Sequence, residues 1–153
     1  MLLASVDTTA KFNHRLQRMP QTRGITFHHV GVACESIADE AGDWGMLGYE
    51  PEDARFSDPA QGIAGQFMTG GGPRIELLEP AGGSSTLASW LKRRVKLYHF
   101  GYVAEDFNLA LESFKERGAM TAREPTHSVY FGTRIVFLMM PNLMLIELIE
   151  AAR

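Results

Sequence analysis

"HHVGVA" (28–33) is a β-rich hexad with a glycine in it, and at 98–104 the chain writes "YHFGYVA". The likeness does not stop there. "FHHVGVACESIADE" lies over "LYHFGYVAEDFNLA", "LGYEP" over "RGAMT", and "IELLEP" (75–80) over "IELIEA" (146–151). His29 precedes Glu76 by 47 residues, and His99 precedes Glu147 by 48. Two copies of one pattern with matched spacing constitute an internal repeat, which outweighs any single element.

Each copy reads as β-α-β-β, with room for one further strand in the loop before the closing hairpin. "ITFHHVGVAC" (25–34) and "VKLYHFGYVAED" (95–106) are strand-like. A helix is expected over 36–50, with Ser36 as N-cap and Gly48 as stop, and another over 106–119, closed by Gly118. "IAGQFMTGGGPRIELLEP" (63–80) and "TRIVFLMMPNLMLIELIE" (133–150) each read as two strands around a turn. The glycines at 70–72 open no helix, so a tight turn explains them better than a phosphate site. The pieces are an extension over 1–24 with a short helix around 8–18, a single domain over 25–151, and within it a module over 25–80, a linker helix over 82–94 and a module over 95–151. Residues 50–62 and 120–132 read as loops. A half of about 60 residues buries too little surface alone, and pairing the halves around a pseudo-two-fold axis corrects that.

The repeat puts a histidine on the first strand and a glutamate on the last strand of each half. His29 shares a strand face with Gly31, and His99 with Gly101. His29, Glu76, His99 and Glu147 form an N₂O₂ set suited to one divalent metal, with positions left for water or substrate. Mixed His/Glu sites accept Zn, Ni, Co, Mn, Fe or Mg. His28 belongs by alternation to the face of Val30 and Val32, a structural or supporting place. His127 stands in a loop that can line a pocket, and His14 in the extension. Met139 and Met140 read as core or pocket lining.

Composition excludes several classes. The 153 residues are 45% hydrophobic and 22% charged, with a net charge of −3. That fits a globular chain and offers no electrostatic case for nucleic acid or an anionic membrane. No window approaches 18 apolar residues, and the N-terminus lacks the pattern of a signal peptide. Cys34 is the only cysteine, which fits a cytoplasmic setting and excludes an intrachain disulfide.

The quoted motifs, with "YHFGYVAEDFNLALESFKERGA" and "RIVFLMMPNLMLIELIE", resemble the vicinal oxygen chelate superfamily over about residues 25–151. Its members include glyoxalase I, methylmalonyl-CoA epimerase, extradiol dioxygenases and bleomycin-resistance proteins. The resemblance implies an α+β fold of paired βαβββ modules forming a cup, often dimeric, with metal ligands at His29, Glu76, His99 and Glu147. Glu76 argues against extradiol dioxygenases, and the full ligand set argues against bleomycin-type binders. Glyoxalase I and the epimerases, a lyase and an isomerase, remain. Both act on a small carbonyl compound or thioester through an enediolate, with Glu147 or Glu76 as base. Several bacterial epimerases carry a glutamate on the strand after "QGV"; here "QGIAGQF" (61–67) has Gly65 or Gln66 there. Gln66, Tyr98 and Arg134 are the expected substrate-binding residues, Arg134 through an anionic group. The alternative is a non-catalytic small-molecule binder of the same fold, and a homodimer is the expected assembly.

Overall fold

A computed structural model describes residues 24–152. The expected helix around 8–18, with His14, lies outside them. β1 (Ile25–Ala33) leads into α1 (Ile37–Gly45), β2 (Glu50–Pro51), β3 (Phe56–Asp58), β4 (Ile63–Thr69) and β5 (Ile75–Pro80). After α2 (Ala88–Lys92), the second half runs β6 (Leu97–Ala104), α3 (Phe107–Glu116), β7 (Met120–His127), β8 (Arg134–Met139) and β9 (Leu145–Glu150). Local chemistry explains the helix ends. Ser36 and Asp106 are extended N-caps whose side chains accept from Asp39 N and Leu109 N, and Gly48 and Gly118 take positive φ just beyond each helix.

The nine strands among the described residues join one mixed sheet in the order β2-β4-β5-β1-β6-β9-β8-β7, with β3 also paired to β4. Each half closes on itself: β1 runs parallel to β5, and β6 parallel to β9. The halves meet where β1 pairs antiparallel with β6. α1 and α3 cover one face. Val32, Met68, Ile75 and Leu77 pack under α1, while Val136, Leu138, Ile146 and Leu148 pack under α3. Each fully buried side chain of this size contributes about 1.5–3 kcal/mol.

The other face is concave. Ile63 of β4 and Ile135 of β8, from opposite flanks, belong to one cluster with Leu78, Tyr98 and Ile149. Tyr130, beyond β7, stacks against Phe56 of β3 and Phe67 of β4 with ring centroids 4.6 and 4.7 Å apart. Flanks that far apart along the sheet meet only if it curls into a cup.

Part of one expected loop is a strand. β7 occupies 120–127, puts Met120 and Ala122 on its exposed side, contains Pro125 and pairs only with β8 through a twice-interrupted register. An edge strand whose inward residues are Thr121, Arg123 and Thr126 carries no hydrophobic period, so its sequence reads as loop. The short β2 and β3 likewise lie inside 50–62. Among the described residues no helix is long and apolar enough to cross a membrane.

Candidate metal centre

Two rows of cross-strand neighbours build the site. On one side Phe67 of β4 faces Glu76 of β5, Glu76 faces Gly31 of β1, and Gly31 faces His99 of β6. On the other Phe137 of β8 faces Glu147 of β9, Glu147 faces Gly101 of β6, and Gly101 faces His29 of β1. The rows are the same sentence written in the two halves. Each imidazole lies over the other half's glycine. A Cβ on Gly31 would stand 2.3 Å from the His99 ring, and one on Gly101 would stand 2.2 Å from the His29 ring. The room these glycines leave above the sheet is filled by histidine.

The four side chains converge. His29 Nε2 lies 2.8 Å from His99 Nε2. Glu76 Oε2 is 3.1 Å from His29 Nε2 and 3.3 Å from His99 Nε2; Glu147 Oε2 is 3.4 and 3.6 Å from the same atoms. One donor atom from each residue lies within 4.8 Å of all the others, and all four residues are buried. Donors sharing an ion at about 2.1 Å stand roughly 3.0–3.5 Å apart when adjacent. The donor set and its spacing fit a divalent cation. Glu147 Oε2 strengthens the fit, because it is buried without a hydrogen-bond partner among the described residues.

Electrostatics within the cluster are tightly bound together. Burial by itself would raise the Glu76 carboxyl, but the imidazoles of His29 and His99 outweigh it and hold the group well below the usual carboxylate range. Burial would lower His99, but the Glu147 and Glu76 carboxylates beside it prevail and push it up to about 9. Without a cation, protons and carboxylates neutralise each other here; a metal ion would take over that role.

Aromatic rings enclose the cluster. Phe131 stacks on His29 at 6.2 Å, Phe67 meets it edge-on at 5.3 Å, and Phe137 meets His99 at 5.4 Å. A small cavity of 10 Å³ remains beside Glu76, His99 and Glu147, room for about one water. Its roof is held by Tyr130, whose hydroxyl donates to Asp53 Oδ2 at 2.9 Å and accepts from Arg74 Nη2 at 3.2 Å. Arg74 also pairs with Glu52 and lies over the Phe67 ring, 3.8 Å from its centre.

His28 departs from its expected face. The β1–β6 register slips between Phe27 and His29, leaving His28 as an extra residue, and again between Gly31 and Val32, leaving Tyr98 extra on β6. These two β-bulges interrupt the alternation and turn the residue before each histidine toward the cup. His28 Nδ1 lies 2.8 Å from His29 Nδ1, the position of an outer hydrogen bond that orients a ligand imidazole. Burial first, then the charges of His29 and Arg74, press its pKa down to about 4, so it is neutral and able to accept. His99 Nδ1 has no such partner; Tyr98 meets its ring edge-on at 5.0 Å instead.

The remaining expected residues separate. Tyr98 lines the cavity over the cluster, and burial raises its hydroxyl pKa. Gln66 is not brought there: it shares the α1 face with Ala64 and Met68, and its amide donates to Asp53 O at 2.5 Å. Gly65 does face the cup, but a Cβ there would meet Phe56 at 2.1 Å, so an acid could not occupy that position without displacing the ring. Arg134 is also on the far face. It pairs with Glu150 at 2.8 Å and lies over Phe107 of α3. His127 ends β7 opposite Arg134, exposed and away from the cluster. Phe131, in a segment between strands, carried no periodic signal.

Residues 28–137 match the glyoxalase/bleomycin resistance protein/dioxygenase superfamily. The chain belongs to that superfamily. A curated member, the ethylmalonyl-CoA/methylmalonyl-CoA epimerase of Cereibacter sphaeroides, is 30% identical over 119 residues, spanning 72% of this chain and 85% of its own. Among solved superfamily-like structures, a hypothetical protein from Bacillus halodurans superposes with a TM-score of 0.73 at 26% identity, covering 86% of this chain and 97% of its own. Methylmalonyl-CoA epimerase from Mycobacterium tuberculosis gives the same TM-score at 23% identity, covering 90% and 96%, a likeness of fold. The α+β architecture of the described residues, nine strands in one mixed sheet with few helices, is consistent with that superfamily.

Proposed function

We propose that this chain is a metal-dependent isomerase that moves a proton at the carbon next to a carbonyl, on a small acyl thioester or related carbonyl compound. The observation that carries the reading is the buried His29–Glu76–His99–Glu147 cluster, built symmetrically by both halves. Similarity to a CoA-thioester epimerase supports isomerisation over lyase chemistry.

The four residues would hold one divalent ion, from Zn, Ni, Co, Mn or Fe, and that ion would supply Lewis-acid polarisation of a carbonyl oxygen. Glu147, held less closely by the imidazoles than Glu76, is the carboxylate that would take a proton from the neighbouring carbon; Glu76, 3.1 and 3.3 Å from the two imidazole nitrogens, is the second carboxylate. Tyr98, Phe131 and Phe137 exclude water from the reacting end and strengthen every charge interaction there. His28 fixes the ring of His29. A binder of the same fold without catalysis would have no need of two buried carboxylates facing two buried imidazoles, and burying them is costly. Homodimerisation and a cytoplasmic setting belong to the same proposal, the latter in keeping with a free, buried Cys34.

Elemental mass spectrometry on tag-free protein tests it. Near one divalent ion per chain, lost in His99→Ala and Glu76→Ala, is expected. Deuterium incorporation from D₂O beside the carbonyl of methylmalonyl-CoA and smaller thioesters then tests the chemistry. Absence of metal after reconstitution with each of the five ions would overturn the reading.

A further inference from the structure

The cup continues beyond the cluster. A pocket of 500 Å³ opens between residues 84–86, β7 and β8. It shares Gln61, Tyr98 and Phe137 with the small cavity over the cluster, so the two lie on either side of these side chains. Its volume lies in the range that buries most of a small-molecule ligand, which the cavity beside the metal ligands cannot do.

The walls are of two kinds. Trp90, Met139 and Leu145 supply apolar surface, while Arg123 and Thr86 supply donors. Arg123 reaches from β7 toward the turn before β4, where Nη2 donates to the Ala60 carbonyl at 2.6 Å. Its Nη1 is buried with no hydrogen-bond partner among the described residues, and the Thr86 hydroxyl is buried beside that of Tyr98. No carboxylate lines the pocket. The other paired arginines, Arg55, Arg74 and Arg134, each have a glutamate; none of the ion pairs among the described residues includes Arg123. A buried guanidinium N–H without an acceptor is costly, and an oxyanion is the acceptor whose planar or forked oxygens suit it.

We infer that this pocket is an anion subsite, in which Arg123 and Thr86 hold a phosphate or carboxylate at the far end of a linear, partly apolar chain. The other end of that chain passes Tyr98 to the metal cluster. The inference rests on the carbonyl or thioester reading only for what stands at the reacting end.

Calorimetric titration of the full chain with 4′-phosphopantetheine and with pantetheine, which differ by the phosphate, tests it. The phosphorylated probe should bind at least about tenfold more tightly, the scale of one charge-assisted hydrogen bond. Arg123→Gln should abolish the difference, and Arg123→Lys should restore part of it. Glu147→Gln, which damages the metal cluster, should preserve it, so failure of the metal reading registers separately. In the wild-type protein, competition by inorganic phosphate or by acetate tells whether the subsite prefers phosphate or carboxylate, and needs no variant to fold. Equal binding of the two probes, binding of neither, competition by neither anion, or a preference that survives Arg123→Gln would each overturn the inference. So would loss of all binding in Glu147→Gln, because it would place the anion on the metal cluster.

Discussion

Gly101→Ala adds one methyl group, and the structure says where it lands. The new Cβ would stand 2.2 Å from the His29 ring. Carbon atoms in good contact are about 3.5–4.0 Å apart, so the ring must retreat by more than about 1 Å. Gly101 is not in the left-handed backbone region, so alanine meets no φ penalty and the whole effect is one of space. Overpacking of this kind costs about 1–3 kcal/mol, which leaves a domain folded. The site is less tolerant, because metal–ligand distances allow about ±0.2 Å. We expect metal affinity to fall at least about a hundredfold, beyond the usual effect of losing an outer-sphere partner. The assay is a competition titration with a metal-sensitive dye, beside a thermal melt. Gly31→Ala is the symmetrical variant, acting on His99 at 2.3 Å, and should match it. Gly42→Ala, with nothing within 4 Å of its Cβ, is the control; in the α1 interior it should stabilise by about 0.5–1 kcal/mol. Wild-type metal affinity in Gly101→Ala would refute the claim that the glycine makes room for the ligand ring.

Other expectations follow from the same geometry. His99 has a folded pKa raised from 6.5 to about 9, so its stabilising contribution in metal-free protein is complete below pH 6.5 and disappears as pH rises through about 9; melts across that window should show falling Tm. Cys34, whose thiol burial pushes up to about 12, should resist Ellman's reagent at pH 8 in the native state and react fully in guanidinium. Tyr130→Phe removes the bonds with Asp53 and Arg74; it should cost about 0.5–1.5 kcal/mol in a thermal melt and speed amide exchange over 128–132. Arg134→Ala should leave metal content unchanged by elemental mass spectrometry, since Arg134 faces α3.

The repeat alone selected His29, Glu76, His99 and Glu147. It could do so because matched spacing in two copies carries strand parity with it: equivalent residues on equivalent strands face the same way. Parity also contained a warning about Gln66, two residues from Met68 on the helix-covered face and out of step with Glu-facing Phe67. What parity could not carry was its own interruption. The bulges at His28 and Tyr98 arise from the pairing of β1 with β6, some seventy residues apart in sequence. The same pairing laid each histidine over the other half's glycine and completed the cluster within one chain. The closing of Tyr130 and Phe131 over the site and the meeting of Arg123 with Thr86 depend on the curl of the whole sheet. Such contacts join segments whose local sequence holds no period, and only the assembled cup brings them together.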